Sequence, residues 1–582
     1  MRKPFITLLP AFILYACTSH SFSGVEVDLT AVPEGNGILE ELVLSRIEER
    51  VPDPDRTLPV LRLRYETDPS LADECAFITI KGGTATVRAS GKRGFIFGSG
   101  KFLRSLRYTE KGLEARRGEY SFVPASLLRG CYAARHHNNW YHWASAAELT
   151  RYFEDMTLWG MNAYRFQCTY PGVNLVGAAP EDIRYFEDNS IVLAARIKEM
   201  GMDLMASGGN NVTDDNMPAE FKAIPLNPRR GNDRWNVCPS KPGATEYLLQ
   251  YKHNVLQAQK DMGLDFGYMC FFPYDEGGCQ CEECSPWGGN GYVKLIEKMF
   301  KMDKAFYPDA KSVVSCWYFD DADWEAFYKY LETQDWIDYL EIDAHGDFPR
   351  YPLEHRIPKG IPVITFPEIS MWGRFPWGGY GATALPGRFE RLYRQVEEIA
   401  GGFRLYSEGI FEDLNKVVIA GLYADPSRHA DDILEEYANY ELPGADVSEF
   451  KEFIHLLEDT HLCGEPDSTR KADFNPARFM RVYPESVLAD RREKARKAYE
   501  IAMKLDSEII PSMRGCWRWQ LLKCRAIIDK EIFSARSLHT PTADECYEKL
   551  VGIYHAERQM RRMETEGLGG ATAVPYLQPQ VQ

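Results

Sequence analysis

The sequence predicts an α/β protein organised around a (β/α)8 barrel, with a smaller α/β unit before the barrel and a helical unit after it. Three observations carry that expectation. Over residues 126–425, short apolar runs alternate with amphipathic segments eight times, which fits a closed barrel better than an open doubly wound sheet. No Gly-rich dinucleotide fingerprint follows any of the apolar runs. At 582 residues the chain is longer than one hydrophobic core usually organises, so the barrel is expected to share it with other domains.

In chain order, residues 1–22 read as an export segment. Met1-Arg2-Lys3 precedes the apolar run 5–16, a charged start and short hydrophobic core rather than a membrane span. Leu14-Tyr15-Ala16-Cys17 resembles a bacterial lipoprotein processing site, which would make Cys17 a lipidated outer-membrane tether and place the body in the periplasm or at the cell surface. Acylation of Cys17 leaves 13 of the 14 cysteines, an odd number, so at least one is free or bound to something else. Residues 23–125 form the small α/β support unit. A helix is expected at 37–50, strands at 60–64, 76–80 and 84–89, and Gly94-Phe-Ile-Phe-Gly98 leading into a helix at 100–107.

Within the barrel, strands are predicted at 127–134, 163–168, 203–207, 267–272, 312–318, 339–343, 362–367 and 403–407. Helices fall between them at 146–158, 182–200, 245–262, 292–306, 323–333 and 388–399. Residues 426–566 turn helical, with apolar faces at 430–440, 447–460, 484–505 and 514–538, and the Gly/Pro/Gln-rich end 567–582 is expected to be loose. A formal net charge of -17 argues against nucleic acid or an anionic membrane surface as the main partner.

Barrel enzymes place their chemistry at the carboxyl ends of the strands. The residues predicted there are unusually polar and aromatic. The first strand leads into Arg135, His136, His137, Asn138, Asn139 and Trp140, the second into Gln167 and Tyr170, and the third into Asn210 and Asn211. The fifth gives Trp317 and Tyr318, the sixth Asp343 and His345, the seventh Glu368 with Trp372 and Trp377, and the eighth Tyr406 and Glu408. The fourth is the most pointed: the apolar run Tyr268-Met-Cys-Phe-Phe-Pro-Tyr stops at adjacent Asp275 and Glu276, followed by two glycines and Cys279, Cys281 and Cys284. Those three thiols have the density of a zinc knuckle, but no fourth ligand stands near them in the sequence. A structural brace, such as a disulfide plus a free thiol, is the expectation, with no metal and no cofactor.

Cleaving a glycosidic bond needs an acid to protonate the leaving oxygen and a second group to stabilise or trap an oxocarbenium-like centre. Carboxylates at several strand ends supply both, while indoles and tyrosines offer flat faces for sugar rings. The segment 78–103 resembles the domain that precedes the barrel in the β-N-acetylhexosaminidases of glycoside hydrolase family 20. Arg129-Gly130 is similar to that family's sugar-binding Arg-Gly, Asp275-Glu276 to its Asp-Glu pair, and Tyr406-Ser407-Glu408 to its Trp-x-Glu. The resemblance implies that Glu276 is the general acid, that Asp275 orients a substrate acetamido group acting as nucleophile, and that Arg129 and Glu408 hold sugar hydroxyls. Phe271-Phe-Pro-Tyr274 departs from the family's His-x-Gly-Gly, and the cysteines are foreign to it. Asn236-Val-Cys-Pro-Ser240 and the cysteine spacing also look like parts of barrels akin to α-glucuronidases, in which Glu368 or Glu408 would be the second carboxylate. A non-catalytic surface glycan binder on the same barrel is the competing class.

Overall fold

A computed structural model describes residues 19–32, 37–135, 139–168, 180–213, 216–224, 235–274, 277–344, 346–367, 382–461, 485–535 and 540–555. Its centre is a closed barrel of eight parallel strands: Leu128–Ala133, Ala163–Phe166, Asp203–Gly209, Tyr268–Phe271, Lys311–Ser315, Tyr339–Ala344, Val363–Pro367 and Ala400–Ser407. The eighth strand pairs with the first through Gly402↔Leu128 to Ser407↔Ala133, which closes the ring. Each strand falls on one of the eight predicted runs, because a barrel strand is covered on both faces and therefore reads as nearly continuous apolar sequence.

Side-chain alternation divides the barrel into an interior and an outer shell. Leu128, Ala163, Met205, Tyr268, Cys270, Val313, Tyr339 and Ile364 pack together as one lower layer of the lumen. Above it the filling becomes charged and aromatic. Arg404 and Glu341, both fully buried, form a two-pronged ion pair at 2.6 and 2.7 Å. Such a pair adds little to stability over an apolar filling, but removing one partner would strand the other charge. The Arg404 guanidinium also lies 4.7 Å from the Phe366 ring centroid and 4.9 Å from that of Phe272.

The first unit contains a five-stranded sheet in the order Gly24–Asp28, Val60–Thr67, Thr84–Ala89, Ala76–Lys81, Gly118–Phe122, and a three-stranded sheet of Ser19–Phe22, Gly112–Arg116 and Leu106–Thr109. Here one expectation is corrected. Gly94-Phe-Ile-Phe-Gly98 lies inside a helix, Lys92–Ser105. Glycines four residues apart let this helix lie directly on the sheet: a Cβ on Gly98 would stand 2.5 Å from Val87, and one on Gly94 would stand 2.7 Å from the Cys75 carbonyl. The same helix touches the barrel, since a Cβ on Gly100 would collide with the Leu158 carbonyl at 2.1 Å.

After the barrel come the helices Ala430–Glu441, Val447–Asp459, Glu485–Glu508 and Trp517–Ala535, near their predicted spans, and Pro541–Tyr554, which the sequence reading did not single out. They are tied to the rest by buried ion pairs. Arg518 reaches both Asp155 and Asp413, and Arg50 joins Glu441. Among the described residues, no helix is long and apolar enough to cross a membrane.

Candidate active site

The carboxyl ends of the strands gather acids and rings around the lumen's charged layer. Asp343 lies near the end of the sixth strand, 9% exposed, and Glu408 follows the eighth, 4% exposed. The Tyr406 hydroxyl donates to Glu408 Oε1 at 2.8 Å. Trp317, buried at the end of the fifth strand, meets Phe272 edge-on with centroids 6.3 Å apart and contacts Tyr318 at 5.0 Å. Tyr318 is exposed and sits at φ +57°, a left-handed conformation that a bulky side chain adopts only at a cost.

Beneath this rim lies Arg165, which the sequence reading missed because it sits within a strand rather than beyond its end. Its guanidinium lies 3.9 Å from the Tyr132 ring centroid and 5.0 Å from that of Phe272, and its Nη1 is buried without a hydrogen-bond partner among the described residues. The two rings stabilise the cation through their faces. They leave Nη1 with donors to spare among the described residues.

Asp275 and Glu276 lie outside the described residues, as do His136, His137, Asn138, Tyr170, His345, Glu368, Trp372 and Trp377. The flanks of the acid pair are described, and they are clasped from several sides. Trp287 Nε1 donates to the Pro273 carbonyl at 2.6 Å. Asp323 accepts from the Tyr274 hydroxyl at 2.6 Å and from the Gly288 amide at 2.7 Å. Burial raises the Asp323 carboxyl above its ordinary range, and these hydrogen bonds pull against that shift. On the other side, the fully buried Asn211 carboxamide donates to the carbonyls of Val237 and Gly278, both at 2.9 Å, and accepts from the Gly278 amide at 2.7 Å. The helix that follows opens with a π turn, Gly288–Tyr292, in which a Cβ on Gly289 would stand 2.2 Å from Ala326.

Asn211 thus joins the segment after the third strand to the segment after the fourth, and the cysteines meet at the same junction. Cys238 supplies the fourth sulfur that local spacing did not offer: the Sγ atoms of Cys238, Cys279, Cys281 and Cys284 all lie within 4.8 Å of one another, an arrangement that could hold a metal ion. Cys131, Cys168, Cys270 and Cys316 are buried free thiols, the arrangement expected for cysteines in apolar runs.

Glu408 is positioned differently. The fully buried Glu412 accepts from the Ser407 hydroxyl at 2.6 Å and from the amides of Glu408 and Gly409 at 2.6 and 3.0 Å. Lys416, also fully buried, donates to the hydroxyls of Tyr141 and Tyr152, both at 2.7 Å, and to the Gly409 carbonyl at 2.6 Å. Burial lowers the Lys416 ammonium below its ordinary range, while Glu412 opposes that shift.

Several predicted site residues take structural places instead. Arg129 is the second residue of its strand and alternates outward, away from the mouth. Its guanidinium is fully buried against the Gly160 and Ser126 carbonyls and Glu74 of the first unit, the last at 2.5 Å, so it joins two parts of the chain. Arg135 also points outward: it donates to the Tyr141 carbonyl at 2.8 Å and to Ser190, and it stacks 4.1 Å over Phe186. Asn139 donates to the Ala134 carbonyl at 2.9 Å, and Trp140 packs edge-on against Tyr141 and Tyr152 in the outer core. Asn210 closes a local turn by accepting from the Val212 amide at 2.9 Å.

No protein-family model and no curated protein matches the chain. Similar solved structures include a family GH115 4-O-methyl-α-glucuronidase with specificity for decorated arabinogalactans. It is 12% identical, with a TM-score of 0.60, covering 96% of this chain and 78% of that one. A GH138 enzyme targeting pectin rhamnogalacturonan II is 11% identical, with a TM-score of 0.56 and coverage of 93% and 72%. A family 89 glycoside hydrolase from Clostridium perfringens is 11% identical, with a TM-score of 0.58; the match covers 91% of this chain and 65% of that one. At these identities the likeness is one of fold.

Proposed function

We propose that the chain is a glycoside hydrolase acting on a glycan, exo-acting and hexosaminidase-like, with Glu276 as the general acid. The observation that supports it best is the convergence of Glu408, Asp343, Tyr406, Trp317 and Tyr318 on the carboxyl end of a closed barrel. Acids and ring faces there can hold a sugar and stabilise an oxocarbenium-like centre. The similar structures, glycoside hydrolases of several families, support the same class. In this reading Glu276 protonates the leaving oxygen, Asp275 orients the substrate acetamido group that attacks the anomeric carbon, and Glu408, held by Tyr406, binds sugar hydroxyls. The reading also has the chain exported and anchored through Cys17. Glu276→Gln should lower turnover of glycosides with poor leaving groups by roughly a hundredfold or more while the far-ultraviolet circular dichroism stays unchanged. Near-normal turnover in that variant would sink the assignment.

Arg165 favours a second reading, in which the sugar carries a carboxylate and the hydrolase is α-glucuronidase-like, with Glu276 as the acid and Glu368 or Glu408 as nucleophile or base. A buried guanidinium beneath the mouth, its Nη1 unpartnered among the described residues, suits a uronate better than a neutral sugar. Aryl N-acetyl-β-hexosaminides and aryl uronides assayed side by side separate the two. Affinity for an oligosaccharide without turnover of either would instead identify a binding protein.

A further inference from the structure

We infer that Cys238, Cys279, Cys281 and Cys284 form a tetrathiolate site for a single zinc ion, which ties the segment after the third barrel strand to the loop that carries Asp275 and Glu276. The inference stands apart from the hydrolase reading, because it rests on the sulfur cluster alone.

The geometry argues for one ion. Tetrahedral zinc with Zn–S bonds of about 2.3 Å holds its sulfurs about 3.8 Å apart. Cys238 Sγ lies 3.6 Å from Cys281 Sγ and 3.9 Å from Cys284 Sγ, and all four sulfurs fall within 4.8 Å of one another. An iron–sulfur cubane would spread its thiolates farther apart. The chemistry of the donors agrees, since four thiolates around one centre suit a soft, tetrahedral ion.

A hydroxyl stands beside two of the four sulfurs. Ser240 Oγ stands 3.0 Å from Cys238 Sγ and 3.3 Å from Cys281 Sγ. Hydrogen bonds of this kind orient ligands and offset the charge they bring to a buried metal. Cys238, Cys279 and Cys284 are at most 1% exposed, while Cys281 is half-buried and leaves a side for the ion to enter. Binding breaks four S–H bonds and forms four Zn–S bonds, with four protons passing to solvent, so the occupied site carries two net negative charges.

Closed four-cysteine sites are structural. Cys279 follows Glu276 by three residues, so the ion would fix the outgoing end of the acid-bearing loop while Asn211 holds the same junction through the backbone. The full mature chain, purified without a nickel tag or added metal, should contain about one zinc ion per chain by elemental analysis. Titration with a mercurial should release that zinc, and protein from cobalt-supplemented cells should show the ligand-field bands of tetrahedral tetrathiolate cobalt. Cys238→Ser should lower zinc content at least severalfold, whereas Cys238→His, which keeps a ligand, should retain it; a cysteine needed only for packing would not distinguish the two. Zinc below about one-tenth per chain, iron in its place, or a mass showing the four thiols oxidised to disulfides would overturn the assignment.

Discussion

The segments that follow the eighth and the fourth barrel strands are held in place by different physics. The eighth relies on a buried polar network in which Glu412 gathers the Ser407 hydroxyl and two amides and Lys416 holds Gly409 from below. The loop after the fourth relies on clasps made by other elements: Asn211 from the third strand's segment, Asp323 from a later helix, and the four sulfurs. The first support lies within ten residues of the carboxylate it serves. The second is assembled from parts far apart in the chain. A local network of buried charges fails when any one charge is removed, because its partner is left without compensation. A set of separate clasps should fail in steps.

The largest effect is therefore expected at the eighth strand. Lys416→Met keeps the volume but removes three buried hydrogen bonds, to the hydroxyls of Tyr141 and Tyr152 and to the Gly409 carbonyl, together with a positive charge close to the buried Glu412. A loss of about 3–5 kcal/mol in unfolding free energy is expected, measured by chemical denaturation, together with loss of glycoside turnover through displacement of Glu408. A variant within 1 kcal/mol of the parent would show that the network is not cooperative.

Asn211→Ala tests the other side. It removes three buried hydrogen bonds between the 237 and 278 backbones, for an expected loss of about 2–3 kcal/mol. The sulfur cluster and Asp323 remain, so the variant should fold and retain partial activity. If it were destabilised more than Lys416→Met, the contrast between the two supports would be reversed.

The sequence exposed the barrel readily and its supports poorly. Eight strands were legible because burial on both faces makes each an apolar run, and Glu408 and Asp343 because acids stand out where such runs end. Arg129 misled because a family resemblance preserves residue type but not which way a strand residue faces, and one position along the strand reverses that direction. Arg165 was hidden for a related reason: an arginine inside an apolar run reads as an interruption, while in the barrel it caps a layer of rings. Cys238 escaped because the fourth member of a cluster lies on another loop, and only closure of the third strand beside the fourth brings it in. The sequence places Gly94 and Gly98 ahead of a helix at 100–107, although their spacing of four marks a helix face pressed onto a sheet.

The smallest expected effect concerns the rim, where neither support reaches. Tyr318 stays exposed at φ +57°, a conformation that costs a bulky residue roughly 1 kcal/mol. Tyr318→Ala removes the ring but keeps the strain, whereas Tyr318→Gly removes both, so the glycine variant should be the more stable of the two by about 1 kcal/mol. If the ring is a sugar platform beside Trp317, both variants should raise KM severalfold with little change in kcat, since an exposed ring contributes on the order of 1 kcal/mol to binding. Unequal KM values that track the stability difference would mean that Tyr318 serves only to shape the turn. Equal KM values with unequal stabilities would show that the strained backbone is kept for the sake of the ring it presents.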